Sequence, residues 1–314
     1  MELIDNMYVN SLRALELSNL KIIENEASLF SRKRVEKLKK SSITQTIKMA
    51  HNVFLSKRKF MQTKAYNSSV AKENRTREEF EKDLVCSSEY YKKKIAVYTC
   101  VVGGYDKVSD PTIINENIDY FIFSDHNIQS RIWNQISIPS QLLELGNNTL
   151  INRYLKFHPQ ELFDGYDYVI YVDGNVQVSS DITPLLKYTK NRLGVAFHSH
   201  GYRDSIYDEV EVLIKVVKRG DPDKLTKQIA GYRQEGFPDN YGLPEATIIL
   251  TDLSNNMAIT FFTQWWEEFL KSQSLRDQIA LPYVLWKNGI ATSEVTLLGN
   301  NLRNSSKFMV ATHK

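Results

Sequence analysis

Tyr168-Val169-Ile170-Tyr171-Val172-Asp173-Gly174-Asn175-Val176-Gln177-Val178 is the stretch whose reading decides the fold. Five consecutive apolar or aromatic residues, rich in the types that suit a pleated surface, are too few for a helix of ordinary length. The run stops at a carboxylate and a glycine. It reads as a buried strand that delivers Asp173 to its end. A carboxylate in that place is costly unless it is exposed, paired or bound to a metal. An Asp-x-Asp turn after a strand suits a divalent ion that clamps a diphosphate, through hard oxygen ligands. Here the third position is Asn175, a neutral group, and an ordinary turn explains Asp-x-Asn as well.

Working outward, the same texture repeats. Upstream, residues 95–102 read as a strand ended by Gly103-Gly104, and residues 120–123 as a second ended by Ser124-Asp125. Residues 132–138 read as a third, and residues 149–162 as a helix capped by Asn148 or Thr149. Downstream, residues 194–197 and 247–250 are strand-like. Residues 205–218, 222–234 and 257–271 are helical, the last amphipathic. Strands alternating with helices predict an α/β layer fold with a largely parallel sheet. In such sheets ligands bind beyond the carboxyl ends of the strands. Thr99, Gly103-Gly104, Asp125 and Asp173 are therefore the first candidates. Asp125 suits a ribose or base hydroxyl, and equally a strand-end turn.

The first part of the chain is different. Residues 1–90 contain no Gly and no Pro, and Leu12, Leu15, Leu17, Leu20 and Ile23 recur at helical spacing. Residues 1–94 carry 20 Lys/Arg against 12 Asp/Glu, and the remainder carries 20 against 25. The densest basic run spans residues 32–40. It reads as a solvated helix face or as a docking arm for anionic lipid or a partner enzyme. Few aromatics interleave with it, so nucleic acid is not an expected partner. Two domains follow: a helical basic region over 1–93 and an α/β domain over 94–314. With 42% hydrophobic and 25% charged residues, the 314-residue chain excludes wholesale disorder. No apolar run approaches the ~20 residues that span a bilayer. Two cysteines, Cys86 and Cys100, and an opening without signal-peptide order lead to a cytoplasmic expectation, peripheral to a membrane if the arm engages one.

Further motifs carry a resemblance. The opening 98–106 segment, Arg153-Tyr154-Leu155-Lys156-Phe157-His158-Pro159 followed by the Asp173 stretch, and His200 with Arg203-Asp204 and residues 207–211 occur in that order. Pro244-Glu245 before a strand, Arg276-Asp277-Gln278, and the closing 308–313 segment with His313 follow. Together they resemble a glycosyltransferase-like family first known as a domain of unknown function, found in plant Golgi wall-polysaccharide proteins and bacterial polysaccharide loci. The resemblance covers residues 94–314. It implies a GT-A fold, a Rossmann-like nucleotide-sugar-binding sheet, with residues 1–93 outside it.

The resemblance also implies roles. Asp173, Asn175 and His313 become candidate ligands of Mn²⁺ or Mg²⁺. Thr99, Asp125, Arg153, Lys156, Arg276 and Gln278 become candidate donor contacts. Arg153 and Lys156 share a helix face. Asp173, Glu245, Asp277 and His200 are the catalytic candidates. In an inverting enzyme Glu245 and Asp277 compete as the acceptor's base; a retaining enzyme needs no such base, and the sequence does not decide between the two. Asp277 reads equally as a helix-start acid. His200 is a catalyst or a structural hydrogen bonder. Of Glu209 and Glu211, two apart on a helix, one at most faces the cleft. Of Trp265 and Trp266, one packs in the core and the other is free to stack on a sugar. The expected activity is transfer from a nucleotide sugar, a UDP-sugar foremost, to a saccharide or glycolipid hydroxyl. The rivals are a nucleotidyltransferase, which the acidic turn at Asp106 disfavours, and a non-catalytic scaffold, which the presence of Asp173 disfavours.

Overall fold

The computed structural model describes residues 87–305 and 307–311. The chain divides into two units, Met1–Tyr66 and Asn67–Lys314, and every described residue belongs to the second. The basic run, nearly all of the expected arm, Cys86 and His313 lie outside the described residues. The arm's last residues form a short turn, Tyr90–Lys92, whose Tyr90 packs on Tyr168 with ring centroids 6.2 Å apart. Among the described residues, no helix is long and apolar enough to cross a membrane.

The strands are β1 (Ile95–Val101), β2 (Ile118–Ser124), β3 (Asn134–Ser137), β4 (Tyr168–Val172), β5 (Val176–Val178), β6 (Val195–Ser199), β7 (Pro244–Asp252) and β8 (Phe308–Val310). Six form one sheet in the order β3-β2-β1-β4-β7-β6, and β5 pairs with β8. The α/β class with a mainly parallel central sheet is as expected: β3, β2, β1 and β4 run parallel. β7 runs antiparallel to both β4 and β6. β1 and β4 are buried along their whole length, as parallel strands covered on both faces must be.

The pleat sorts the buried residues into two layers. Tyr98, Tyr171 and Phe197 face helices α1 (Asn148–Phe157), α2 (Ile206–Val212), α3 (Pro222–Gln234), α4 (Asn256–Ser272) and α5 (Asp277–Lys287). Val97, Ile170 and Leu250 face the other way, onto the turn Thr183–Thr189 and the β5–β8 pair.

Local chemistry sets the helix ends. α1 is capped by Asn147, not by Asn148 or Thr149: its side chain accepts from the Thr149 and Leu150 amides at 2.9 and 3.1 Å. The expected 149–162 helix is cut at His158, because Pro159 lacks an N–H and disfavours helical backbone in the residue before it. A separate turn, Pro159–Leu162, follows. α2 runs into a π turn, Leu213–Val217, that ends on Lys218 at φ 55°.

Candidate active site

α1 is fastened to β1 from two sides. The Tyr98 hydroxyl donates to the carbonyls of Leu155 and Lys156, both at 3.2 Å. Asn152 Nδ2 donates to the Cys100 carbonyl at 2.9 Å, and Asn152 Oδ1 accepts from Arg153 Nη1. The helix thereby brings Arg153 and Lys156 to the carboxyl ends of β1 and β4. Lys156 is 2% exposed. Its ammonium donates to Asp277 Oδ2 at 2.7 Å and lies 4.9 Å from the centre of the Tyr171 ring. Arg153 Nε stands 3.0 Å from the same carboxylate oxygen.

Asp277 opens α5, and its backbone carbonyl accepts from the Trp265 indole at 3.0 Å. Burial by itself would raise its carboxyl, but the charges of Arg153 and Lys156 outweigh burial and hold it well below the usual carboxylate range. Burial pulls Lys156 down, with Asp277 and Asp173 opposing. Asp277 is therefore corrected as a candidate base. A carboxylate paired with two cations has little affinity for a proton.

Asp173 follows β4 directly. Its N–H donates to the Thr247 carbonyl at 2.9 Å, and its Oδ1 accepts from the Tyr171 hydroxyl at 2.9 Å. Because β7 is antiparallel, its first residues lie beside the end of β4, so Glu245 and Thr247 join Asp173. The Thr247 hydroxyl donates to Glu245 Oε1 at 3.4 Å. Burial raises the Glu245 carboxyl, Arg303 opposes and Asp173 adds, and the group is pushed from 4.5 up to about 7. That value suits a group that takes a proton near neutral pH.

These groups share a cleft of about 670 Å³, also lined by Arg219, Gly220, Asp221, Lys224 and residues 273–278, a size typical of small-molecule sites (~300–1,000 Å³). Arg276 and Gln278 also line it. Arg276 Nε and Gln278 Nε2 are buried and have no hydrogen-bond partner among the described residues. Gln273 and Leu275, just before them, have φ 55° and 56°. Backbone strain of this kind collects at functional sites.

Other candidates stand elsewhere. Thr99 is fully buried and does not reach the cleft. Asp125 is not in the cleft wall; its carboxylate accepts from the Gly103 N–H at 2.9 Å and pairs with His126 Nδ1 at 2.8 Å. His200 is also outside: its Nδ1 accepts from the Arg203 N–H at 3.1 Å. Burial and the Arg203 charge push it down to about 4, so it is a neutral hydrogen bonder. Glu209 is buried against Arg203, and Glu211 pairs with Lys215 at 2.6 Å. Neither enters the cleft. Trp265 is in the core as expected, but Trp266 packs on Tyr154, Phe157 and His158 instead of lining a sugar surface.

Among the described residues, no three His, Cys, Asp or Glu side chains come together to hold a metal. Asp173 suits a hard cation, but Asn175 turns its Nδ2 to the Ala311 carbonyl at 2.8 Å. The described donors fit a divalent ion only when other oxygens, such as those of a diphosphate, complete the shell. Sequence reasoning missed Tyr171, Asn152 and Arg303. Period-two spacing puts Tyr171 on the Asp173 face and was a usable signal; Arg303 left none.

A family model described as TOD1/MUCI70, glycosyltransferase-like domain, matches residues 132–305. No curated protein matches the sequence. Solved structures with similar regions include the galactosyltransferase LgtC in complex with donor and acceptor sugar analogues. It is 13% identical, with a TM-score of 0.37, over 60% of this chain and 70% of that one. Mouse xyloside xylosyltransferase 1 is 8% identical, with a TM-score of 0.38, over 62% and 83%. The bifunctional glycosyltransferase WbbM is 15% identical, with a TM-score of 0.37, over 61% and 37%. The family model spans more than half of the chain, including the Asp173 turn, Glu245 and the Arg276-Asp277-Gln278 helix start, and the chain belongs to the TOD1/MUCI70 glycosyltransferase-like domain family.

Proposed function

We propose that the protein moves a sugar from a nucleotide-sugar donor, a UDP-sugar foremost, to a hydroxyl of a saccharide or glycolipid acceptor in polysaccharide or glycoconjugate synthesis. The observation that carries this reading is one cleft in which Asp173 and Glu245 stand beside a bank of cations and of buried donors without partners among the described residues. Arg153, Lys156, Arg276 and Gln278 suit the oxygens of a diphosphate, where fixed donors stabilise the leaving charge. Glu245 suits the acceptor side. The acceptor hydroxyl gives its proton to Glu245 as its oxygen bonds to the anomeric carbon. The bond from that carbon to the diphosphate oxygen breaks, and its electron pair leaves with the diphosphate. This is a direct, inverting displacement. A bound Mn²⁺ or Mg²⁺, held by Asp173 together with diphosphate oxygens, would add charge compensation to the leaving group.

The test is a screen of nucleoside diphosphates and nucleotide sugars, with and without Mn²⁺, read by melting temperature, calorimetry and turnover. A donor at 100 times its Kd adds about 2.7 kcal/mol of stability. Asp173→Ala is expected to lower turnover at least about a hundredfold with little change in melting temperature. No binding of any nucleoside diphosphate overturns the donor class, and near-normal turnover of Asp173→Ala overturns the site.

A further inference from the structure

The turn that carries Asp173 is held at its third residue by a bond that needs a donor. Asn175 Nδ2 donates to the Ala311 carbonyl at 2.8 Å, and the Ala311 N–H donates back to the Asn175 carbonyl at 2.8 Å. The pair extends the β5–β8 ladder, in which Val176 faces Val310 and Val178 faces Phe308. Asn175 is buried, 8% exposed. A backbone carbonyl only accepts, so the side-chain atom facing it must carry a hydrogen. An aspartate there would set a carboxylate against a carbonyl in a buried place, which is unfavourable. On its other side the turn has no slack: a Cβ on Gly174 would lie 2.6 Å from Val101 Cγ2 and 3.1 Å from Asp106 Cβ.

We propose that Asn175 is a positioning residue whose side-chain N–H clamps the β8 end to the Asp173 turn, and that this donor, not metal ligation, is what the third position of the turn requires. The proposal rests on the reading of the Asp173 turn as the site, but not on the reaction carried out there. It reverses the usual expectation for such a turn. A second carboxylate at 175 makes a better set of metal ligands on paper and a worse site in this protein.

The experiment compares the full chain with Asn175→Asp and Asn175→Ala, all metal-free, by backbone amide hydrogen exchange over residues 308–311. Calorimetric titration with Mn²⁺ alone accompanies it. Loss of one hydrogen bond predicts about fivefold or faster exchange of this segment in both variants, with Asp at least as fast as Ala. Mn²⁺ binding by Asn175→Asp is expected to be no tighter than that of the wild type. Wild-type exchange in a folded variant overturns the clamp, and so does tighter Mn²⁺ binding by Asn175→Asp. If the aspartate variant does not fold, the alanine variant decides, because it removes the donor without adding a charge. Exchange is read without substrate. A failure of the glycosyl-transfer reading, seen as no turnover in any of the three proteins, is thus distinct from a failure of the clamp.

Discussion

At the residue scale, the Asp173-Gly174-Asn175 turn shows three positions chosen for three physical reasons. Asp173 supplies charge, Gly174 supplies room and Asn175 supplies a hydrogen. Gly174 has an ordinary backbone, so its reason is contact with Val101 and Asp106, not conformational freedom. Gly174→Ala is expected to force the turn away from β1. Overpacking of this kind costs about 1–3 kcal/mol. Urea unfolding measures it, and a variant as stable as the wild type would show that Val101 and Asp106 yield freely.

At the scale of elements, α1 and α5 meet at the site through a buried ion cluster. Asp277 begins one helix, and Arg153 and Lys156 sit on the other. Asp277→Ala leaves Lys156 buried without its partner, and breaking a buried pair from one side costs about 3–5 kcal/mol. The same cluster sets an acid limit. The folded carboxyl lies well below its ordinary value, so its contribution to stability is full above about pH 4. It is lost as pH falls from there toward the folded value. Wild-type unfolding between pH 5 and 2, set beside Asp277→Ala, checks this; parallel curves would show that the cluster contributes nothing. The cap of α1 is a milder matter. Asn147→Ala is expected to cost about 1 kcal/mol by urea unfolding, and Asn148→Ala less, because only Asn147 accepts the first amides of the helix.

At the scale of the whole molecule, the direction of β7 makes the site. Glu245 is the second residue of that strand and would lie at the opposite end of β4 from Asp173 if β7 ran parallel to β4. Run antiparallel, it stands beside Asp173 and Thr247, in a partly buried place that lifts its carboxyl to about 7. Two measurements follow. Turnover under kcat/KM conditions is expected to rise with pH through about 7 as Glu245 loses its proton. In Glu245→Gln, turnover is expected to be low and without that limb. Stability runs the other way. The folded carboxyl lies above its unfolded value, so the protonated fold is favoured, and stability is lost as pH rises from about 4.5 through about 7. Glu245→Gln is therefore expected to melt higher than the wild type at pH 8 and no higher at pH 4. Equal melting temperatures at both values would show that Glu245 is not held in a place that resists its charge.

The division between what the residues announce and what the fold decides follows the range of the forces involved. Short-range patterns were legible in the sequence. The apolar run ending at Asp173, the alternation of strands and helices, the extent of α3 and the pairing of Arg153 with Lys156 on one face depend on neighbours a few positions apart. Even there, one cap was misplaced by a residue and Pro159 cut a helix short. The functional assignments that changed depend on contacts across long separations. Asp277 lost its place as a base because two cations from α1 reach it, and His200 because the segment after β6 closes on its ring. Thr99 lost its place because the pleat buries it, and Asn175 gained a role because β8 returns beside the turn. Strand direction, which no local periodicity records, brought Glu245 to the site. Local spacing by itself therefore determined the fold class and the central strand end. Only the tertiary structure decided which charges face one another, because Coulomb and hydrogen-bond partners are set by distance in space, not along the chain.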